Sequence, residues 1–400
     1  MIFKPLSEVA KIDISGVNKK IDDGEKLVKL CNFTDVYYNW AVTSNNVANF
    51  MTASANDNEI ERFTLKKGYV AITKDSETRD DIGIPCLIAD NLENTILGYH
   101  CALIMTDENQ LYGPYLNTYL NSKMARTYFS NQASGSGQRY TLTIGGIGNV
   151  MVPIIEMSEQ IKIGNLFSKI DKKIENNKIL ITELESMAKT LYDYWFLQFE
   201  FPNEEGKPYK SSGGKMVYNE ELKREIPEGW ENSTLEKSAI MYQPETFDAK
   251  TLNPNGKYRV YGAGGFMGFY NSYNHESPET FISCRGSCGN IYRSMPKSFI
   301  TGNAMIVKTK EIRYNDYLYL TLLKIGVKNC VTGSVQPQIT RDNLNDWKYC
   351  MPNISTIEKF NSLIKPIFLK IELIVEENQQ LVNLRDFLLP MLMNGQVNFK

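Results

Sequence analysis

Between residues 158 and 196, apolar side chains recur at alternating steps of three and four: Ile163, Phe167, Ile170, Ile174, Ile181, Leu184, Ala188, Leu191 and Trp195, with Asn177 on one interior step. Two hundred residues further on, the same frame carries Leu363, Ile367, Lys370, Ile374, Glu377, Leu381, Leu384, Leu388 and Met391. A 3.5-residue period held over several heptads predicts a long helix with a coiled-coil seam. Ser158 is placed to cap the first helix, and Ser355 with Glu358 forms a capping box for the second. Pro366 should kink or restart the second helix near its first turns, because it lacks a donor and crowds the preceding turn. One such helix alone reads as core packing within a single domain. Two in matched frame point to antiparallel packing and an approximate twofold axis within one chain. Asn177 and Glu377 then meet at mid-seam, where a polar pair fixes register at some cost in stability.

The repeat continues upstream of each helix. Gly135-Ser136-Gly137-Gln138 precedes Pro153 much as Gly333-Ser334-Val335-Gln336 precedes Pro352, and Ile96–Ala102 resembles Ile300–Ala304. Short β-like runs such as Tyr69–Thr73 and Thr280–Ser283 alternate with Gly and Asn turns. The expected fold class is α/β (α+β): two mixed α/β domains separated by two long antiparallel coiled-coil helices. The boundaries read as a first domain at 1–157, helix at 158–197, linker at 198–225, second domain at 226–355, helix at 356–394 and tail at 395–400. The linker is assigned by its Pro, Gly, Lys and Glu content.

Four hundred residues suffice for two cores, and 42% hydrophobic with 22% charged residues excludes a disordered chain. The net charge is −2. It divides unevenly: 14 basic against 18 acidic groups over residues 1–157 give −4, and 14 against 11 over 226–355 give +3. Neither segment could hold nucleic acid by counterion release alone, so contacts to DNA would have to be few and well placed. Seven cysteines without paired spacing fit reduced thiols. With no apolar run of membrane length and no secretory signal, a cytoplasmic protein is expected.

Catalytic chemistry finds little footing. An adenine methyltransferase needs a Gly-rich cofactor turn and an Asn/Asp-Pro-Pro-aromatic loop; the nearest approach to the latter, Asn253-Pro254-Asn255, lacks the second proline. Gly262-Ala263-Gly264-Gly265-Phe266-Met267 starts like a dinucleotide fingerprint but ends on Met267, and a loop near DNA is the preferred reading. No phosphate-binding loop is present, so no catalytic residue and no cofactor are assigned to this chain. Cys284, Cys288, Cys330, Cys350 and His275 are too loosely spaced for structural zinc, and no metal is assigned. His100, in an apolar run, reads as a structural histidine with a DNA contact as the alternative. Base reading needs planar donors and amides on loops. In the second domain these are Arg285, Ser287, Tyr292, Arg293 and Lys297, with Tyr261, Asn271 and Tyr273 beside the Gly loop and Gln336 and Gln338 after Gly333. Each could equally be a solvated loop residue or a phosphate contact. The aromatic group Tyr192, Tyr194, Trp195, Phe196, Phe199 and Phe201 either closes over the linker or forms a partner interface, assigned here to Tyr192, Trp195 and Phe196.

The stretch WFLQFEFPNEEGKPYKSSGG at 195–214, followed by IPEGW at 226–230, resembles the central region of type I restriction-modification specificity subunits. In the first half ITKDSETRDDIGIP (72–85), LGYHCAL (97–103) and the Gly-rich run before Arg139-Tyr140 resemble one recognition-domain subtype of that family. The resemblance covers nearly the full length. It implies that each domain reads one half of a bipartite, asymmetric DNA site and that the helices set the unread gap. Two methyltransferase subunits bearing S-adenosylmethionine would methylate adenine, and motor-nuclease subunits would use ATP and Mg. The chain itself would do no chemistry. Family pattern adds Lys74, Asp75, Ser76, Arg79, Arg139 and Tyr140 as first-domain DNA contacts. The 39 residues from Ser158 to Phe196 give about 58 Å, or roughly 17 base pairs, as an upper bound on domain separation. Two other readings remain: a self-contained methyltransferase or nuclease with fused recognition domains, and a coiled-coil adaptor that does not read DNA.

Overall fold

The computed structural model describes residues 2–135, 138–286, 288–333 and 337–393. The chain divides into two compact units: residues up to Lys178 together with those from Glu376 onward, and Ile179–Val375. Each is a mixed helix-and-sheet body holding half of each long helix, Met157–Tyr192 and Ile354–Met393.

In the first unit a five-stranded sheet runs in the order Ala10–Ile14, Cys101–Thr106, Val70–Thr73, Pro85–Ile88, Ala41–Val42. Every residue of Val70–Thr73 and of Pro85–Ile88 is buried, because both faces of the sheet are covered. Val70, Ile72 and Leu87 join one cluster with Leu116, Phe129, Ile163 and Phe167; Ala71, Cys86 and Ile88 join another with Leu30, Phe63 and Ile96. Period-two alternation sends neighbouring side chains to opposite cores. A second sheet pairs Lys26–Cys31 antiparallel with Met51–Ala55 and parallel with Thr95–Leu97.

The second unit repeats this plan. Its main sheet runs Ala239–Tyr242, Ala304–Thr309, Thr280–Ser283, Ile291–Arg293. Beside it, Tyr258–Gly262 pairs antiparallel with Gly265–Tyr270 and parallel with Phe299–Ile300. The near-fingerprint glycines thus turn a β-hairpin, with Gly265 at φ +89°, rather than leading a strand into a helix. In both units a strand pair closes the domain just before the long helix: Ile2–Pro5 with Met151–Ile154, and Glu231–Thr234 with Lys348–Met351. A buried tyrosine locks each pair. Tyr115 donates to the Pro153 carbonyl at 2.9 Å, and Tyr317 donates to that of Cys350.

These closing strands begin at Met151 and Lys348, and the long helices at Met157 and Ile354, each pair 197 residues apart. The structural repeat is therefore offset by three residues from the 200-residue frame of the apolar pattern. At 197, buried matches buried: Ile163 with Phe360, Phe167 with Ile364, Asn177 with Ile374, Trp195 with Leu392. Leu363 and Leu384, which the longer frame puts on the seam, are instead 47% and 45% exposed. Of the other seam positions, Ile163, Phe167, Ile170, Ile174, Asn177 and Ile374 are buried, while Ile181, Leu184, Leu191, Ile367, Glu377, Leu381 and Leu388 are half-buried.

The helix starts also differ from expectation. Ser158 and Ser355 lie inside the first turns, and it is the Asn353 side chain that accepts from the Thr356 amide at 2.9 Å. Pro366 does not restart the second helix, which runs unbroken from Ile354 to Met393. Pro366 is on the exposed side, and the buried Ile364 and Phe368 flanking it anchor the helix against the roughly 3 kcal/mol such a residue costs. Within the first unit the Asn177 amide donates to Glu377 Oε2 at 2.7 Å and to Asn378 Oδ1 at 2.8 Å.

Residues 198–229, a linker by composition, carry the hairpin Met216–Asn219/Arg224–Pro227 and feed Phe199, Phe201 and Ile226 into the second core. This overturns the partner-interface assignment. Tyr192, Trp195 and Phe196 are 3%, 4% and 2% exposed, packed among Trp230, Tyr317 and Phe360 with Phe196 ring centroids 4.6 Å from Tyr317 and 4.8 Å from Phe360. Among the described residues no helix is long and apolar enough to cross a membrane.

Candidate nucleic-acid interface

Each unit has a cleft at the same point of its topology. In the first, the strand Val70–Thr73 runs on into Lys74 and Asp75, and the Lys74 amide donates to the His100 carbonyl at 2.9 Å. In the second, Thr280–Ser283 runs on into Cys284 and Arg285, and the Cys284 amide donates to the Asn303 carbonyl at 3.1 Å. A hairpin forms the facing wall. Thr141 pairs with Asp75 on one side and with Ser134 on the other; Gln338 stands in the same way between Arg285 and Thr332. Then Leu142 and Ile339 close onto the carbonyls of Lys74 and Cys284. A Cβ at Gly135 would stand 2.0 Å from the Arg139 carbonyl, so only glycine lets the first hairpin turn this tightly.

The first cleft, about 680 Å³, is lined by Ser15, Lys74, Asp75, Tyr99, His100, Ser134, Arg139 and Thr141. Asp75 is its buried centre. Its Oδ2 accepts from Lys74 Nζ at 2.7 Å, His100 Nδ1 at 2.6 Å and Arg139 Nη2 at 3.4 Å. Burial pushes this carboxyl up, but hydrogen bonds from Lys74, His100 and Thr141 outweigh that and hold its pKa down to about 2. His100 sits at φ +72°, a left-handed backbone costing a β-substituted residue about 1–3 kcal/mol, and this strain places its ring against Asp75. Arg139 stays 58% exposed, its guanidinium 3.1 Å from His100 Nε2. Ser76 and Tyr140 pair beside the cleft, and Arg79 lies over the Tyr140 ring at 5.5 Å.

The second cleft, about 450 Å³, is lined by Tyr242, Gln243, Cys284, Arg285, Gln338, Thr340, Arg341 and Asp342. Arg285 and Gln338 are exposed, and among the described residues Arg285 has no ionic partner. Donors and amides line the cleft together with one exposed acid, Asp342, and among the described residues no buried acid stands at its centre.

Residues 227–383 match the family described as type I restriction modification DNA specificity domain. The MjaIX specificity subunit of Methanocaldococcus jannaschii is 27% identical over 306 residues, covering 70% of this chain and 68% of that protein. The HindI specificity subunit of Haemophilus influenzae is 27% identical over 137 residues, covering 34% and 29%. In fold the chain is similar to the S subunit of a type I restriction-modification system from M. genitalium, with a TM-score of 0.60, 17% identity and coverage of 98% and 95%. The matching family model and both relatives are those of type I restriction-modification specificity subunits, to which this chain is similar.

In this chain the remaining sequence-derived candidates do not converge. Lys74, Asp75 and Arg139 meet in the first cleft, and Arg285 and Gln338 in the second; Ser287 and Gln336 lie outside the described residues. Tyr261 is buried against Phe281, and Tyr292 stacks on Phe281 at 5.2 Å. Asn271, Tyr273 and Lys297 stand on loops by the three-stranded sheet, Asn271 accepting from Asn253 and Lys297 pairing with Glu276. Arg293 is already committed. It pairs with Glu372 at 2.6 Å and Asp316 at 3.5 Å and lies over the Phe368 ring at 4.5 Å, a clasp between sheet and helix rather than a loop donor. Sequence reasoning missed Gln243, which reaches the second cleft from a distant segment, and Thr340 and Arg341, which closely follow Gln338. The one available signal was Thr340, which opens a short helix as Thr143 does in the first half. Among the described residues no group of three or more His, Cys, Asp or Glu could hold a metal ion.

Proposed function

We propose that this chain is a type I restriction-modification specificity subunit that reads a bipartite, asymmetric DNA site, one half through each cleft, and that the two long helices set the gap between the halves. What carries the reading is one juxtaposition. The same strand-and-hairpin cleft occurs twice in one chain with different side chains, Lys74, Asp75 and Arg139 in one and Arg285, Gln338 and Arg341 in the other. Two copies of a scaffold with unlike donor sets suit two unlike base sequences. Helices of 36 and 40 residues have about 54 and 60 Å of length with which to space them. The chain acts without catalysing. Methyltransferase subunits carrying S-adenosylmethionine transfer the methyl group to adenine, and motor-nuclease subunits with ATP and Mg cleave.

Co-expression of the full chain with its methyltransferase subunits, followed by genome-wide mapping of methylated adenines by single-molecule sequencing, tests this. A split motif with one fixed gap is expected. Methylation that is scattered or absent sinks the reading.

A further inference from the structure

The first cleft takes its guanidinium from the hairpin wall, whereas the second has one, Arg285, on the core-strand wall in addition to Arg341. In the first, Arg139 reaches in from the hairpin, and the core-strand position opposite holds the acid Asp75. In the second, the core-strand position itself is the arginine, Arg285, bridged to Gln338 on the hairpin. Asp75 is buried, and its Oδ2 is taken up by Lys74, His100 and Arg139. It has little left to offer a base. What it does is hold Arg139, which is otherwise exposed, in one orientation against the edge of a strained histidine. A phosphate contact has no need of this arrangement, since a mobile lysine serves as a point charge. A fixed planar fork is what bidentate recognition of paired acceptors requires, and the base edge that offers two acceptors side by side is guanine O6 and N7.

We propose that Arg139 and Arg285 each read a guanine, one in each half-site, and that Asp75 is the positioning residue that fixes the fork of Arg139. This rests on the DNA-reading assignment above and adds to it the base and the residue. The cluster of Lys74, Arg139 and Asp75 keeps a net positive charge, which suits an acceptor-rich edge and opposes a donor such as the cytosine amine. Among the described residues Arg285 has no buried acid paired to it, and its backbone bridges to Gln338, so its fork is less restricted.

The test is selection of a duplex library, randomised over both half-sites and the gap, by the full chain in complex with its methyltransferase subunits. Wild type is compared with Arg139→Ala, Arg139→Lys, Asp75→Asn and Arg285→Ala. Arg139→Ala and Asp75→Asn should relax the same G·C pair in one half-site by about 5- to 150-fold, while Arg285→Ala relaxes a G·C pair in the other. Arg139→Lys should keep overall affinity and lose the preference. Arg139 is largely exposed, so its truncation leaves the core intact, and thermal denaturation of Asp75→Asn checks that this variant folds. Uniform loss of affinity with unchanged base preference would mean phosphate contacts and overturn the proposal. So would relaxation by Asp75→Asn at a different base pair from Arg139→Ala. A wild-type complex that selects no motif overturns the DNA-reading assignment itself, an outcome separable from the others because it appears before any substitution is made.

Discussion

Asp75 and Arg285 leave the same end of the same strand, two residues past Thr73 and Ser283, and face the same hairpin. One is a buried acid surrounded by cations, the other an exposed guanidinium beside a glutamine. Two residues earlier nothing of the kind is possible, because Thr73 and Ser283 are fully buried between packed clusters. The scaffold is set by burial, and chemical freedom begins where the strand leaves the core. The helix junctions tell the same story with a different outcome. At the 197-residue offset Asp171 corresponds to Phe368. In the second unit Phe368 is buried beneath the Arg293 guanidinium. In the first, Asp171 is half-buried, and the helix is instead held by Phe167 stacked on Trp40, with Arg385 over the same indole at 4.8 Å.

This comparison can be broken at three places. The largest effect should come from the aromatic core of the second unit. Phe196→Ala removes a side chain packed on five other rings and should cost about 3–5 kcal/mol in denaturant unfolding. Met393→Ala, its counterpart in the first unit, should cost about 2 kcal/mol, since a flexible side chain leaves a more collapsible gap. Equal losses would remove the distinction between an aromatic and an aliphatic core.

Asp171 comes next. Burial raises its carboxyl from 3.8 to about 6, with Lys178 and Arg385 offsetting only part of that. A raised acid favours the folded state below its unfolded pKa, and that contribution is lost as pH rises through about 6. Asp171→Asn should therefore stabilise the protein by about 1–2 kcal/mol at pH 7 and leave it unchanged near pH 4, measured by thermal denaturation across a pH series. A gain that does not depend on pH would show that ionisation at the junction is not what separates it from the Phe368 site.

The smallest effect is at the cleft. Asp75 is depressed to about 2, so its contribution is present above an unfolded value near 3.8 and is lost as pH falls toward 2. Asp75→Asn should destabilise by about 1 kcal/mol at pH 7, solvent screening having reduced the effect, and the two proteins should converge near pH 2. If the difference persisted in acid, the carboxylate would not be what gathers Lys74, His100 and Arg139.

The long helices and the double plan were legible because a heptad pattern and its echo survive in Ile163, Phe167 and Ile174. The offset was not. Heptads alternate steps of three and four, so a frame slipped by three still meets apolar residues such as Leu363 and Leu384, and only the closing strands before each helix fix it at 197. Lys74, Asp75 and Arg139 could be named from sequence, but not that the acid is buried and acts through the arginine. Gln243 was invisible, since it lies far from Arg285 and Gln338 in sequence and the strand ends that join them are set by pairing, whereas Arg341 follows Gln338 by three residues. The aromatic run at 192–201 misled for a related reason: its partners, Tyr317 and Phe360, are far away in the chain.

The division of the chain has a bearing on how the protein is made. The second unit is one uninterrupted stretch, whereas the first is completed only by residues beyond Glu376, where Leu389, Leu392 and Met393 join Ile163 and Phe167 in its core. The half that leaves the ribosome first is thus the last to be sealed. During elongation Ile163 and Phe167 lack these partners while the whole second unit is synthesised and folds. A released chain truncated before Glu376 should expose that surface to chaperones, even though its second unit, Ile179–Val375, is complete.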